Sequence, residues 1–133
     1  MRVIKFRGKD LNTGEWAFGD LHTLCDKPHI HTEKTSFPFA GKRSFVDENT
    51  IGQFTGIKDN AGKEIYEGDI VLMENVFGYG TCKGVIKWDN NGYWYTDYKG
   101  DYDNRIIGTK GFVIGNIHDN PELLKGEDWN ENN

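Results

Sequence analysis

The chain has 133 residues and a formal net charge of −5, with 36% apolar and 14% aromatic side chains. That length suits one domain or two small subdomains, and it can bury enough surface to need no disulfide staples. An acidic chain is repelled by phosphate backbones unless a local basic patch overrides its field, which disfavours nucleic acid as a partner. No apolar run approaches membrane-spanning length, and the opening MRVIKFR lacks the apolar core of a secretory signal.

The charge is unevenly spread. Residues 1–58 carry nine Lys/Arg against seven Asp/Glu, and residues 59–133 carry seven against fourteen, giving +2 and −7. That asymmetry can draw copies of the chain together head to tail, although a solvated acidic surface is the commoner explanation. Cys25 and Cys82 form neither a CxxC motif nor a disulfide framework, so a reduced cytosolic setting is expected.

Along the chain, three turns share one chemistry. Asn12-Thr13-Gly14 separates Val3–Phe6 from Trp16–Leu21, Asn60-Ala61-Gly62 precedes Lys63–Tyr66, and Asn90-Asn91-Gly92 separates Val85–Trp88 from Tyr93–Tyr95. Asn bonds nearby backbone and glycine takes positive φ without a Cβ clash, so each turn between apolar runs predicts a hairpin. Three hairpins predict a mostly β, antiparallel protein. Residues Thr23 to Arg43, with Pro28 and Pro38, read as a long irregular stretch, and a subdomain border is expected near residue 48. Ile70–Met73 reads as a strand launched from Glu67-Gly68-Asp69, and Phe112–Ile117 as another. A short helix over Glu122–Lys125 is expected after Asp119 or Asn120 as cap and Pro121 at the first position. The polar tail 126–133 is expected to fray.

Candidate chemistry is sparse. His22, Cys25, His29 and His31 come nearest to a metal cluster, and His29 and His31 would share a strand face. Their spacing matches no common zinc motif, so neither a metal nor another cofactor is expected. Glu64, Glu67 and Asp69 gather three carboxylates in six residues, but no histidine, lysine or serine has a motif-defined place beside them. Gly56 to Lys63 falls short of a phosphate loop, with five residues between its glycines and Glu64 where magnesium needs Ser or Thr. The aromatic set Trp88, Tyr93, Trp94, Tyr95 and Tyr98 is partly core by strand alternation. Trp88, Tyr93, Trp94 and Tyr95 are the candidate contact residues, for a protein ahead of nucleic acid.

Several segments together resemble the YopX protein family, small proteins encoded by bacteriophages and prophages. They are MRVIKFRGKD, the GDL at Gly19–Leu21, VDENTIGQFTGIKDNAGKEIYEGDIV from Val46, GVIKWDNNGYW from Gly84 and VIGNIHDNPELL from Val113. Gly8-Lys9 departs from an Ala-Trp pair common there, and Thr23 to Ser44 matches nothing in the pattern. The resemblance implies an all-β fold with a barrel-like part and no known reaction. The expectation is an N-terminal β subdomain (1–48), a barrel-like β subdomain (49–125) and a tail (126–133). Functionally it reads as a non-enzymatic phage accessory protein that binds a host or phage protein and forms homo-oligomers. The alternative is a small-barrel nucleic-acid module.

Overall fold

The computed structural model describes residues 3–32, 42–74, 81–98, 101–103 and 111–125. The chain divides into two compact units, Met1–Phe54 and Thr55–Asn133. The expected border near residue 48 falls on a single 3₁₀ turn, Glu48–Thr50. Both units are built from antiparallel strands, as the hairpin turns require. Among the described residues, no helix is long and apolar enough to cross a membrane.

In the first unit, β1 (Phe6–Lys9), β2 (Trp16–Leu24), β3 (Lys27–His31) and β4 (Arg43–Phe45) line up in the order β4-β3-β2-β1, with the start of β5 (Gly52–Lys58) beside β1. Alternation along β2 sends Ala17 and Leu21 to one face, where they meet Phe6, Val46, Ile51 and the fully buried Ile30. Burying a side chain such as Ile30 contributes roughly 1.5–3 kcal/mol. Gly8 makes room for this core, because a Cβ there would come within 2.9 Å of the Val46 Cβ. Part of the stretch expected to be irregular is regular. Residues 23–31 form the β2–β3 hairpin around Cys25 and Asp26, both at positive φ (50° and 63°), with Pro28 opposite Thr23 next to the turn. Two positive-φ residues match the twist of the flanking strands, which explains a tight hairpin without glycine.

The second unit takes the rest of β5 to β6 (Glu64–Tyr66), then β7 (Asp69–Glu74), β8 (Thr81–Asp89), β9 (Tyr93–Tyr98), β10 (Asp101–Asp103) and β11 (Gly111–Asn116). The last five form a sheet in the order β10-β9-β8-β7-β11. The barrel-like expectation is not met. β11 returns to pair with β7, so β10 and β11 end the sheet on opposite sides, and among the described residues no pairing between them closes it. Both faces of β7 are buried. Val71 and Met73 pack with Ile65 and Ile86 on one side, and Ile70 packs with Val85 and Leu124 on the other.

The expected C-terminal helix is instead one 3₁₀ turn, Pro121–Leu124. Leu123 N donates to Asn120 O and Lys125 N to Glu122 O, both three residues back. Four residues suffice for that pattern, whereas an α-helix needs more residues to offset its nucleation cost. Asn120 does not cap the turn with its side chain; its Oδ1 accepts from Asn116 N at 3.3 Å. The expected tail, 126–133, lies outside the described residues.

The three hairpin turns hold a feature beyond the glycine. Gly14, Gly62 and Gly92 sit at φ +73°, +85° and +97°. In each, the glycine N–H donates to the main-chain carbonyl of a preceding aspartate, Asp10, Asp59 or Asp89. The aspartate side chain then accepts from amides inside the turn, as Asp10 Oδ1 does from Asn12 and Thr13 at 2.8 and 2.9 Å. Asp10 Oδ2 also accepts from Ser44 Oγ at 2.6 Å. The Ser44 hydroxyl, with the Thr13 and Asn12 amides, holds the Asp10 carboxyl below the ordinary aspartate range.

Candidate contact surfaces

The segment from Gln53 to Val71 concentrates polar groups, several of them bonded to backbone amides. Asp59, 7% exposed, accepts from Ala61 N and Lys63 N at Oδ1 and from Val113 N at Oδ2, each at 2.9 Å. It thereby ties the β5–β6 turn to β11, whose Gly111 carbonyl also accepts from Asn60 N. Burial pushes the Asp59 carboxyl up, but the amides of Val113, Lys63 and Ala61 outweigh it and hold the group below the ordinary range. Of the three neighbouring carboxylates, Asp69 is buried and accepts from Tyr66 N at 2.7 Å, while Glu64 accepts from the Tyr66 hydroxyl at 3.3 Å. Glu67 stands in the turn beside Gly68, which has φ +89°. Of the three, Asp69 braces the turn backbone.

The C-terminal signature is equally structural. Asn116 is buried, with Oδ1 accepting from His118 N and Asp119 N and Nδ2 donating to Asp119. Gly115 is required beside it, because a Cβ there would come within 2.8 Å of the Asn120 Cγ.

The β8–β9 hairpin carries the expected aromatic contact residues. Register pairs Trp88 with Trp94 and Lys87 with Tyr95, so the tryptophans share one face and Tyr95 points to the other. Trp94 packs on the core around Ile65, Val71, Met73 and Ile86. Trp88 stands edge-on to it, ring centroids 4.8 Å apart and planes at 64°, and is 46% exposed. On the opposite face, Lys87 pairs with Asp97 at 2.7 Å. The Tyr93 and Tyr98 side chains lie outside what the structure describes. Of the three candidates whose side chains are described, Trp88 is exposed and shares a face with the half-buried Trp94, while the half-buried Tyr95 lies on the other face.

In the first unit, β2 and β3 bring together three of the four residues picked for metal-like spacing. His22 is the cross-strand partner of His29, and His31 follows two positions along β3 on the same face. Ring centroids are 4.4 Å apart for His22–His31, 5.1 Å for His29–His31 and 5.6 Å for His22–His29. Phe45 on β4 flanks His29 at 5.2 Å. Cys25 is left at the exposed hairpin tip. Burial pushes His29 down, followed by the positive charges of His31, His22 and Arg43, against a raising hydrogen bond with the Lys27 backbone. The same unit has a concavity of about 380 Å³ lined largely by apolar groups, including Leu11, Pro28, Phe45 and Val46.

Comparison with known proteins places the chain. One solved structure, described as "Crystal structure of protein EF1440 from Enterococcus faecalis", is 26% identical with a TM-score of 0.59, covering 94% of this chain and 100% of the other. No curated protein matches. The family model described as YopX protein matches residues 5–125, which include both structural signatures, the Asp59–Asp69 segment and the Asn116–Leu124 turn. The chain belongs to the YopX family.

Proposed function

We propose that this chain is a non-enzymatic accessory protein of phage or prophage origin, acting in the bacterial cytoplasm by binding protein, with a second copy of itself as one partner. Trp88 carries the reading. An indole 46% exposed on a β-hairpin leaves apolar surface in water, and its edge-on contact with the core-anchored Trp94 holds it in one orientation. A rigid aromatic of this kind is what a protein interface uses as an anchor, because little side-chain freedom is lost on binding. Charge supports self-association. Residues 1–54 hold eight Lys/Arg against seven Asp/Glu, and residues 55–133 hold eight against fourteen, giving +1 and −6.

Sedimentation velocity across concentration and salt tests this. The expected result is concentration-dependent association that weakens with salt and falls at least about tenfold in Trp88→Ala, with unchanged melting. A strict monomer at every concentration, with no phage or host protein recovered from lysogenic cells, counts against the reading.

A second reading, a module for single-stranded nucleic acid, draws on cation–aromatic pairs in the first unit. Arg7 and Lys9 lie over Trp16 at 4.6 and 5.5 Å, and Lys5 lies over Phe54 at 5.2 Å. Of these cations Arg7 is buried, which leaves Lys5 and Lys9 to meet phosphate, and a salt-titrated assay with labelled oligonucleotides decides the matter.

A further inference from the structure

We propose that His22, His29 and His31 form a three-imidazole site for a borderline divalent transition-metal ion of the zinc class. The backbone supplies the arrangement. A His-x-His pair on one strand puts two rings on one face, and a third histidine directly across from one of them completes a triangle. Tetrahedral zinc holds imidazole nitrogens at about 2.0–2.1 Å, which sets ring centres about 5 Å apart. The three separations here, 4.4, 5.1 and 5.6 Å, bracket that spacing.

His29 provides an independent sign of a ligand. It is 4% exposed, and its Nδ1 is buried without a well-formed hydrogen bond, the ring's weak interaction with the Lys27 backbone aside. A buried nitrogen of that kind is costly unless something completes its bonding, and a metal ion does so. Among the described residues, no three His, Cys, Asp or Glu side chains already converge as an ion cage. Convergence requires turning the rings of His22, which is exposed, and His31, which is half-buried, between ordinary rotamers around the fixed His29. Two charges flank the triangle. Asp20, paired in register with His31 on β2, favours a cation, and Arg43, paired with His31 on β4, opposes one. Three protein ligands leave a fourth position open to water or another group.

Equilibrium dialysis of the tag-free full chain against zinc chloride tests this, with cobalt(II) visible absorption as a second readout of the ligand set. The expected result is saturable uptake of one ion per chain, weakening in acid, where protons compete with the metal for imidazole nitrogen. His22→Gln and His31→Gln should each weaken uptake at least about tenfold, since altering even a ligand's supporting partner costs that much. Both residues lie at or near the surface, so the metal-free variants should melt as the parent does. Cys25→Ser should bind unchanged. Absence of saturable uptake overturns the site, as does uptake that survives both histidine variants or disappears with Cys25→Ser.

Discussion

Asp59→Ala is expected to lower stability by about 3–5 kcal/mol, because it strips three amides of a shared, ionised acceptor in a buried turn. For a chain of this size that corresponds to a fall in melting temperature of about 10–20 °C. Asp59→Asn is nearly isosteric and should recover little. Its oxygen can still accept from Ala61 and Lys63, but its NH₂ faces the Val113 N–H, donor against donor. The two variants also carry a pH signature. The Asp59 carboxyl titrates lower in the folded chain than its ordinary value. Its contribution is therefore complete above the unfolded value of about 3.9 and is lost as pH falls through the folded one. Urea unfolding free energies measured from pH 7 to pH 3 should keep a constant gap between parent and variants down to about pH 4. The gap should then narrow by up to about 1 kcal/mol by pH 3, the most one carboxyl can contribute over that span. A constant gap across that range would mean the carboxylate's charge is not what holds the turn.

Gly19→Ala is expected to cost about 3–4 kcal/mol, at the upper end of ordinary single substitutions. Gly19 has φ +155°, and a Cβ built on it would fall on the His31 carbonyl oxygen, a backbone atom that cannot rotate aside. The methyl group must push β2 and β3 apart where Asp20 pairs with His31. Gly14→Ala is the control. Gly14 also sits at positive φ, +73°, but its added Cβ would meet nothing within 4 Å. Only the backbone penalty of about 1–2 kcal/mol then applies. Chemical denaturation of the two variants side by side separates steric intrusion from backbone preference. Equal losses would remove the close approach as the reason for glycine at position 19.

The legible parts of this fold were local. Each Asn-x-Gly turn announced its hairpin, because glycine at positive φ between two apolar runs leaves the chain few other paths. Ile70–Met73 and Phe112–Ile117 were readable by composition; the first lies on β7, and the second lies on β11 up to Asn116, with Ile117 in the turn beyond it. Sheet closure was not readable, because whether β11 joins β7 or β10 depends on contacts distant in sequence. The cysteine-tipped β2–β3 hairpin was hidden by Pro28 and by a turn that uses Cys25 and Asp26 where Asn-Gly is usual. The aspartates that brace the turns were present as a signal, one ahead of each glycine, yet Asp59's bond to Val113 spans 54 positions and could not be inferred.

The same divide separates the candidate surfaces. Alternation alone put Ile86 and Trp88 on one face, but only the register shows Trp94 beneath Trp88 and Tyr95 turned away. His29 and His31 could be assigned to one face from their spacing. His22 joins them because the β2–β3 turn sets His22 opposite His29; a turn one residue longer would break that pairing.

The claim on which the rest depends is that the chain's strongest motif, Gln53 to Val71, is used to build structure, leaving binding to exposed side chains such as Trp88. Residue-resolved amide hydrogen exchange in the parent and Asp59→Ala, which removes the acceptor from all three amides, tests it most directly. Protected amides at Ala61, Lys63 and Val113 that lose protection together in the variant, while first-unit β-ladder amides keep theirs, are the predicted result. Free exchange of those three amides in the parent, or protection untouched by the substitution, would contradict it.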